Sequence, residues 1–136
     1  MSIDWLVPAI LTIITAATPL VFASVGESVV EKAGVLNLGV EGMMIMGAIA
    51  AFATAVSTES GTLAVIAGAA AGLLLAFIFG VLTVYLQSNQ VATGLALTIF
   101  GLGLSALVGY SYVGKTFAGL PRLEIQGISN IPVIGP

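Results

Sequence analysis

The chain has 136 residues, 59% hydrophobic and 7% charged, with a formal net charge of −3 and a mean hydropathy of +1.19. Soluble domains carry about 25% charged residues, so this composition places the chain in the membrane class, and its three cations, Lys32, Lys115 and Arg122, are too scattered to hold nucleic acid. Cysteine and histidine are both absent, which excludes disulfides, thiol catalysis and Cys- or His-ligated metals and leaves a hydrolase without its commonest general base.

The first apolar run covers residues 5–26, with Asp4 placed as its N-cap and Trp5 at interface depth. At about 1.5 Å per residue it reaches roughly 33 Å, enough for a hydrocarbon core of about 30 Å. No basic segment precedes it, so it reads as a retained helix and not as a cleaved signal. Pro19 removes the backbone bond to residue 15 and is expected to kink this helix. Thr12, Thr15 and Thr18 add hydroxyls. Bent helices bearing hydroxyls line transport pathways and also occur as plain kinks, so Thr15 and Pro19 are candidates only.

A polar break at residues 27–37 follows, in which Glu27 and Glu31 are expected to be solvated. The second run covers residues 38–56, with Asn37 as its expected N-cap and Glu41 about one turn inside. A carboxylate there gains from the positive end of the helix dipole. Two readings of Glu41 stay open, a polar contact in a pathway and a side chain reaching interfacial water. Met43, Met44 and Met46 read as packing residues. The spacing of Gly34 and Gly39 matches half a phosphate-binding loop, but Val40 and Glu41 stand where Lys and Ser or Thr are required, and an acid there repels phosphate.

Beyond a break at residues 57–62 lies a third run, 63–87, and beyond a break at 88–90 a fourth, 91–113. Small residues recur every four positions: Gly68, Gly72, Ala76 and Gly80 in the third run, Gly101, Ser105 and Gly109 in the fourth, and Gly47, Ala51 and Ala55 in the second. Such faces let helix backbones approach closely, although Gly and Ala are common in membrane helices and some such spacings arise by chance. Tyr85, Tyr110 and Tyr112, near the ends of runs, read as interface anchors. Every run is about twice as long as a tilted membrane strand, and none alternates apolar with polar, which argues against a β-barrel. The expected fold class is all-α, a polytopic transmembrane helical bundle of about four spans within residues 1–113.

Residues 114–136 change character. Lys115, Arg122, Glu124 and Asn130, with Pro121, Pro132 and Pro136, read as an irregular interfacial loop. Its final Ile-Pro-Val-Ile-Gly-Pro looks like the middle of a loop, and a truncated chain is expected. Lys32 on one side of the membrane against Lys115 and Arg122 on the other is too small a bias to orient the spans.

The stretch Gly34-Val-Leu-Asn37-Leu-Gly39-Val-Glu41-Gly42-Met-Met-Ile-Met-Gly47-Ala48 resembles the signature of permease subunits of ATP-binding-cassette importers. The family is the one shared by sugar, branched-chain amino acid and nucleoside permeases. Its nucleoside (simple-sugar-like) branch is most similar in the Asn-Leu-Gly-Val-Glu-Gly form. The run from Ala17-Thr18-Pro19-Leu20 to Gly26-Glu27 is similar too, as is Asn89-Gln90-Val-Ala-Thr93-Gly94. The resemblance extends over essentially the whole chain and marks Asn37, Gly39, Glu41, Gly42 and Thr93 as signature positions. It implies part of a translocation pathway for nucleosides or related sugar-type solutes, with no cofactor or catalytic residues of its own. The implied partners are a second permease subunit, ATP-binding subunits and an extracytoplasmic substrate-binding lipoprotein. It also implies that residues 27–37 and 88–90 face the cytoplasm, against the charge count. Members of the family are roughly twice as long, so the chain resembles the N-terminal half of a permease.

Two other functions remain in contention. A small four-helix proton-coupled exporter fits the length, but that chemistry wants a carboxylate deep in the first helix, and residues 5–26 contain none. A non-transport membrane assembly subunit would use the small-residue faces to bind partner helices.

Overall fold

Four long helices order the chain, and a computed structural model describes residues 5–119. The expected cap at Asp4, and Arg122, Glu124, Asn130 and the prolines of the final segment, lie outside the described residues. The helices are α1 (Leu6–Lys32), α2 (Val40–Thr58), α3 (Gly61–Gly80) and α4 (Gln90–Tyr110), with a five-residue π-helix, Val81–Tyr85, continuing α3. All four are long and apolar enough to cross a membrane, and no strand occurs among the described residues. The all-α membrane class read from composition is the observed one.

Helix ends follow local chemistry more than hydropathy. The first helix runs six residues past the apolar run, through Glu27 and Glu31, and closes on Lys32, whose charge complements the negative end of the dipole. Gly34, at φ 84, then takes the left-handed conformation that stops it. Glu27 and Glu31 are therefore helical residues, not members of an irregular break. Hydropathy marks where a helix leaves hydrocarbon, whereas the backbone ladder continues until a residue interrupts it. The second helix stops at Glu59, also left-handed (φ 54), whose N–H bonds the carbonyl of Ala55. Ser60 immediately caps α3 by accepting the N–H of Leu63.

Contacts divide the chain into a unit of residues 1–25 with 120–136 and a unit of residues 26–119. The described part of the first is residues 5–25. Here Thr12, Thr15 and Thr18 turn their hydroxyls back onto the carbonyls of Pro8, Leu11 and Ile14, at 2.8–2.9 Å. Pro19 lies inside the helix, which continues through it, and α1 has no buried residue.

In the second unit α2 packs against both α3 and α4, while α3 and α4 meet one another only lightly. The core is small. Met43 from α2, Leu75 and Phe79 from α3 and Leu97 from α4 form its centre, with Val35 and Met46 packed against it. Large apolar side chains point outward instead, among them Leu73, Phe77, Ile99 and Leu107. Such a surface is unstable in water and matched to lipid, where association rests on close packing and interhelical hydrogen bonds. The α2–α3 seam shows the first of these. A Cβ on Gly68 would lie 2.9 Å from the Gly47 carbonyl oxygen and 3.0 Å from Ala51 Cβ, so the two backbones touch. Farther along α3, Gly72 is in ordinary contact with Met43, Ala76 is exposed and Gly80 has open space around it. The seam thus runs through the first part of the Gly68–Gly72–Ala76–Gly80 series. Beyond α4, Tyr112 packs edge-on against Phe52 of α2, and the Lys115 ammonium sits 4.8 Å from the Tyr112 ring centre.

Candidate functional site

The segment between α1 and α2 is irregular backbone joined to long apolar helices. At membrane depth such backbone is tolerated only where its N–H and C=O groups find partners. Three side chains on two helices supply them. Glu27, half-buried on α1, accepts the N–H of Asn37 at 2.9 Å. Gln90, the first residue of α4, accepts the N–H of Leu36 at 2.7 Å through Oε1. Thr98, two turns into α4, donates its hydroxyl to the carbonyl of Leu38 at 2.9 Å. The segment supplies the fourth bond itself, because Asn37 Oδ1 accepts the N–H of Gly39 at 2.9 Å.

Asn37 consequently is not the N-cap expected from the sequence. That position belongs to Gly39, which makes no side-chain cap bond. Asn37 instead folds its amide over the next two residues in an Asx turn and is itself buried. Its Nδ2 approaches Met43 Sδ at 3.7 Å. An Asn placed two residues before the cap rather than at it still accepts an N–H at the same helix end, and hydropathy does not separate the two registers.

The signature glycines Gly42 and Gly94, with Gly101 of the small-residue series, explain how α4 comes close enough to do this. A Cβ on Gly94 would fall 2.8 Å from the Leu38 nitrogen and 2.9 Å from that of Gly39. A Cβ on Gly42 would fall 2.6 Å from the Leu97 oxygen and 2.7 Å from Thr98 Cα, and one on Gly101 would fall 2.7 Å from the Gly42 oxygen. Three glycines on two helices therefore meet backbone to backbone with no side chain between them. Gly39 is slightly looser, its Cβ position 3.3 Å from the Gly94 oxygen.

A second set of polar contacts closes the turn from α3 to α4. Asn89 caps α4 by accepting the N–H of Ala92 at 2.9 Å. The Ser88 hydroxyl bonds the Leu82 carbonyl at 2.7 Å, and the hydroxyls of Ser88 and Thr93 lie 2.9 Å apart. With the Ser88 proton directed at Leu82, Thr93 donates. Residues 36–39 and 88–93 thus share one end of the second unit.

The structure brings Asn37, Gly39 and Gly42 together with Gly94 and Gly101, and sets Thr93 in the first turn of α4, bonded to Ser88 of the α3–α4 turn. Glu41 stays exposed in the first turn of α2. Thr15 and Pro19 lie in the first unit, on α1. Sequence reasoning missed Glu27, Gln90 and Thr98 as the partners of the irregular segment. A signal existed for Thr98, a hydroxyl two turns into an otherwise apolar run, and for Gln90, beside a helix cap. None existed for the pairing itself.

Comparison with known proteins adds the context. The sequence matches the family described as branched-chain amino acid transport system / permease component over residues 9–128. It is 39% identical over 126 residues to a putative glucose ABC transporter permease protein of Haloferax volcanii, with 90% of this chain and 38% of the relative covered. It is 29% identical to the guanosine ABC transporter permease protein of Bacillus subtilis (93% and 44% covered) and 30% identical to the nucleoside ABC transporter permease protein of Lactococcus lactis (88% and 41%). The chain spans about two fifths of the length of these relatives. No solved structure matches it. Four apolar helices and ABC permease relatives make it a multi-pass protein of the cell membrane. By the match over most of its length, the chain belongs to the permease-component family of branched-chain amino acid transport systems, whose members here are sugar and nucleoside ABC permeases.

Proposed function

We propose that the chain forms part of the translocation pathway of an ABC importer for nucleosides or related sugar-type solutes. The observation that carries this reading is the interlocked Asn37–Gly42 and Asn89–Gly101 region. The signature residues it contains build a close crossing of two helices beside a stretch of irregular backbone whose Leu36 and Asn37 N–H groups and Leu38 carbonyl are bonded by Gln90, Glu27 and Thr98. Interrupted backbone held inside a helical bundle is a recurrent feature of transport pathways. The glucose and nucleoside names of the relatives support the solute class, since a pentose or hexose is common to all three.

Energy comes from separate ATP-binding subunits, and a second permease subunit and an extracytoplasmic binding lipoprotein complete the assembly. The permease itself contributes shape and motion, not bond chemistry. The end bearing residues 27–39 and 88–93 faces the cytoplasm in this reading. The relatives lend no support to a proton-coupled exporter or a passive assembly subunit.

The test is uptake. Cells with the reading frame disrupted are compared with complemented cells for accumulation of radiolabelled guanosine, adenosine, uridine and glucose at low micromolar concentration. Loss of uptake of at least one of them, restored on complementation, is expected. Unchanged uptake of every nucleoside and sugar tried overturns the proposal.

A further inference from the structure

The α2–α4 contact is not a single crossing point. It begins where Gly94 meets the Leu38 and Gly39 nitrogens and Thr98 bonds the Leu38 carbonyl, and it continues where Gly101 meets the Gly42 carbonyl. Farther on, a Cβ on Gly109 would lie 3.5 Å from Ile49 Cδ1, and Tyr112, just past α4, packs edge-on against Phe52. Two helices that touch at one point can scissor about it, and contact toward both ends removes that freedom. Sliding is blocked as well. One turn, about 5.4 Å, in either direction puts Leu97 or Ser105 where Gly101 stands, and a Cβ there lies 2.7 Å from the Gly42 carbonyl oxygen.

The third helix is held to α2 in the same manner. Gly72 meets the Met43 carbonyl, while Gly68 meets the Gly47 carbonyl and Ala51 Cβ. Only Glu59 and Ser60 join the two helices. The Glu59 N–H bonds the Ala55 carbonyl at 2.9 Å, and the Ser60 N–H bonds Thr58 Oγ1 at 3.3 Å. A one-turn slide in one direction puts Ala64 in place of Gly68, where a Cβ lies 2.9 Å from the Gly47 oxygen. A slide in the other direction makes the two-residue turn give up the bonds that close it. Leu75 and Phe79 of α3 then share one apolar centre with Met43 and Leu97.

We infer that α2, α3 and α4 form one rigid block whose internal register stays the same while the permease alternates between its accessible forms, so that the block moves as a piece. The alternation rests on the importer reading above, whereas the rigidity does not. Pivoting and one-turn shifts are the usual rearrangements of packed helices, and both are closed to this block. Its tightest contacts are backbone against backbone, and a backbone atom cannot rotate aside as a side chain can.

Two measurements on the full transporter in lipid test the block. In a background otherwise free of cysteine, Ile49→Cys with Gly109→Cys places two thiols across the far part of the α2–α4 seam, and a short bifunctional thiosulfonate joins them. Uptake by the unlinked double variant shows that it folds. Linking is expected to leave that uptake unchanged to within about twofold. A loss of about tenfold or more, reversed by reductant, overturns the block, and so does failure of the thiols to join. No uptake by the unsubstituted protein under any condition is instead a failure of the importer reading. In that case, or if the unlinked variant is inactive, the second measurement decides, because it needs no transport. Spin labels at the exposed positions Ala48 and Leu73 report the α2–α3 separation by pulsed EPR, and labels at Ala48 and Leu107 report α2–α4. Each pair is expected to give a single distance population that moves by less than about 2 Å on adding ATP and vanadate, well under one helical turn of about 5.4 Å. A second population or a larger shift in either pair refutes the block whatever the protein transports.

Discussion

Replacing Gly42 with alanine puts a methyl carbon 2.6 Å from the Leu97 carbonyl oxygen and 2.7 Å from Thr98 Cα. Both atoms belong to the α4 backbone and cannot rotate aside. Ordinary contact begins at 3.4 Å, so the two helices must part by at least about 0.8 Å. Overpacking of this kind costs about 1–3 kcal/mol. Parting the helices also stretches the 2.9 Å bond from Thr98 to Leu38, and an interhelical bond in a membrane protein contributes about 0.6 kcal/mol. Alanine recovers up to about 1 kcal/mol of helix propensity relative to glycine. The net expectation is a loss of about 1–3 kcal/mol, a factor of roughly 5 to 150 in the unfolding equilibrium. Reversible unfolding of the purified protein in mixed micelles, driven by increasing SDS, measures it. Gly103→Ala is the matched control, because its Cβ would meet nothing within 4 Å on the same helix α4. That variant is expected to be neutral or slightly stabilised. If Gly42→Ala unfolds at the same SDS fraction as Gly103→Ala, the α2–α4 backbones are not in contact and the reasoning fails.

Three further outcomes follow from single side chains. Glu27→Ala removes the acceptor of the Asn37 N–H, and leaving that amide unpaired costs about 1–3 kcal/mol; hydrogen exchange at Asn37 should accelerate about tenfold or more, and Glu27→Gln, which keeps an oxygen in place, should restore most of the protection. Thr98→Val keeps the shape but deletes the hydroxyl bond to Leu38; it should lower stability by about 0.5–1.5 kcal/mol, and a variant as stable as the unsubstituted protein would remove Thr98 from the account. Gln87→Gly relieves a left-handed side-chain residue and should raise the SDS midpoint by the equivalent of about 1 kcal/mol, whereas a lowered midpoint would mean that the Gln87 side chain makes a contact worth more than its backbone conformation costs.

The number of helices and their membrane character were legible because hydropathy responds to long stretches, and lipid leaves a helix no alternative way to satisfy its backbone. Their ends were less legible. Lys32 closes α1 six residues past the end of the apolar run at residue 26, since Glu27 and Glu31 are as compatible with helix as the apolar residues before them. The π-turn at Val81–Tyr85 lies in an unbroken apolar run, where nothing in the residue types distinguishes a wide turn from a regular one. The small-residue series pointed to close-packing faces, but spacing within one helix does not name the partner helix. Gly42 meets Gly101 and Leu97, Gly94 meets Leu38 and Gly39, and Gly68 meets Gly47. The role of Glu27 was hidden for a related reason. A carboxylate at a helix end in an acidic stretch reads as solvated until the backbone amide it accepts, ten residues on, is brought next to it.

ATP-driven solute accumulation in proteoliposomes tests the central claim most directly. The transporter, purified with all its subunits, is reconstituted with ATP supplied on the side of the ATP-binding subunits and labelled guanosine or glucose with its binding protein on the other. The account predicts accumulation of solute that requires ATP hydrolysis, is indifferent to an imposed proton gradient and falls sharply in Gly42→Ala. Movement driven by the proton gradient without ATP, or no ATP-dependent movement of any nucleoside or sugar by a folded, fully assembled complex, would contradict it.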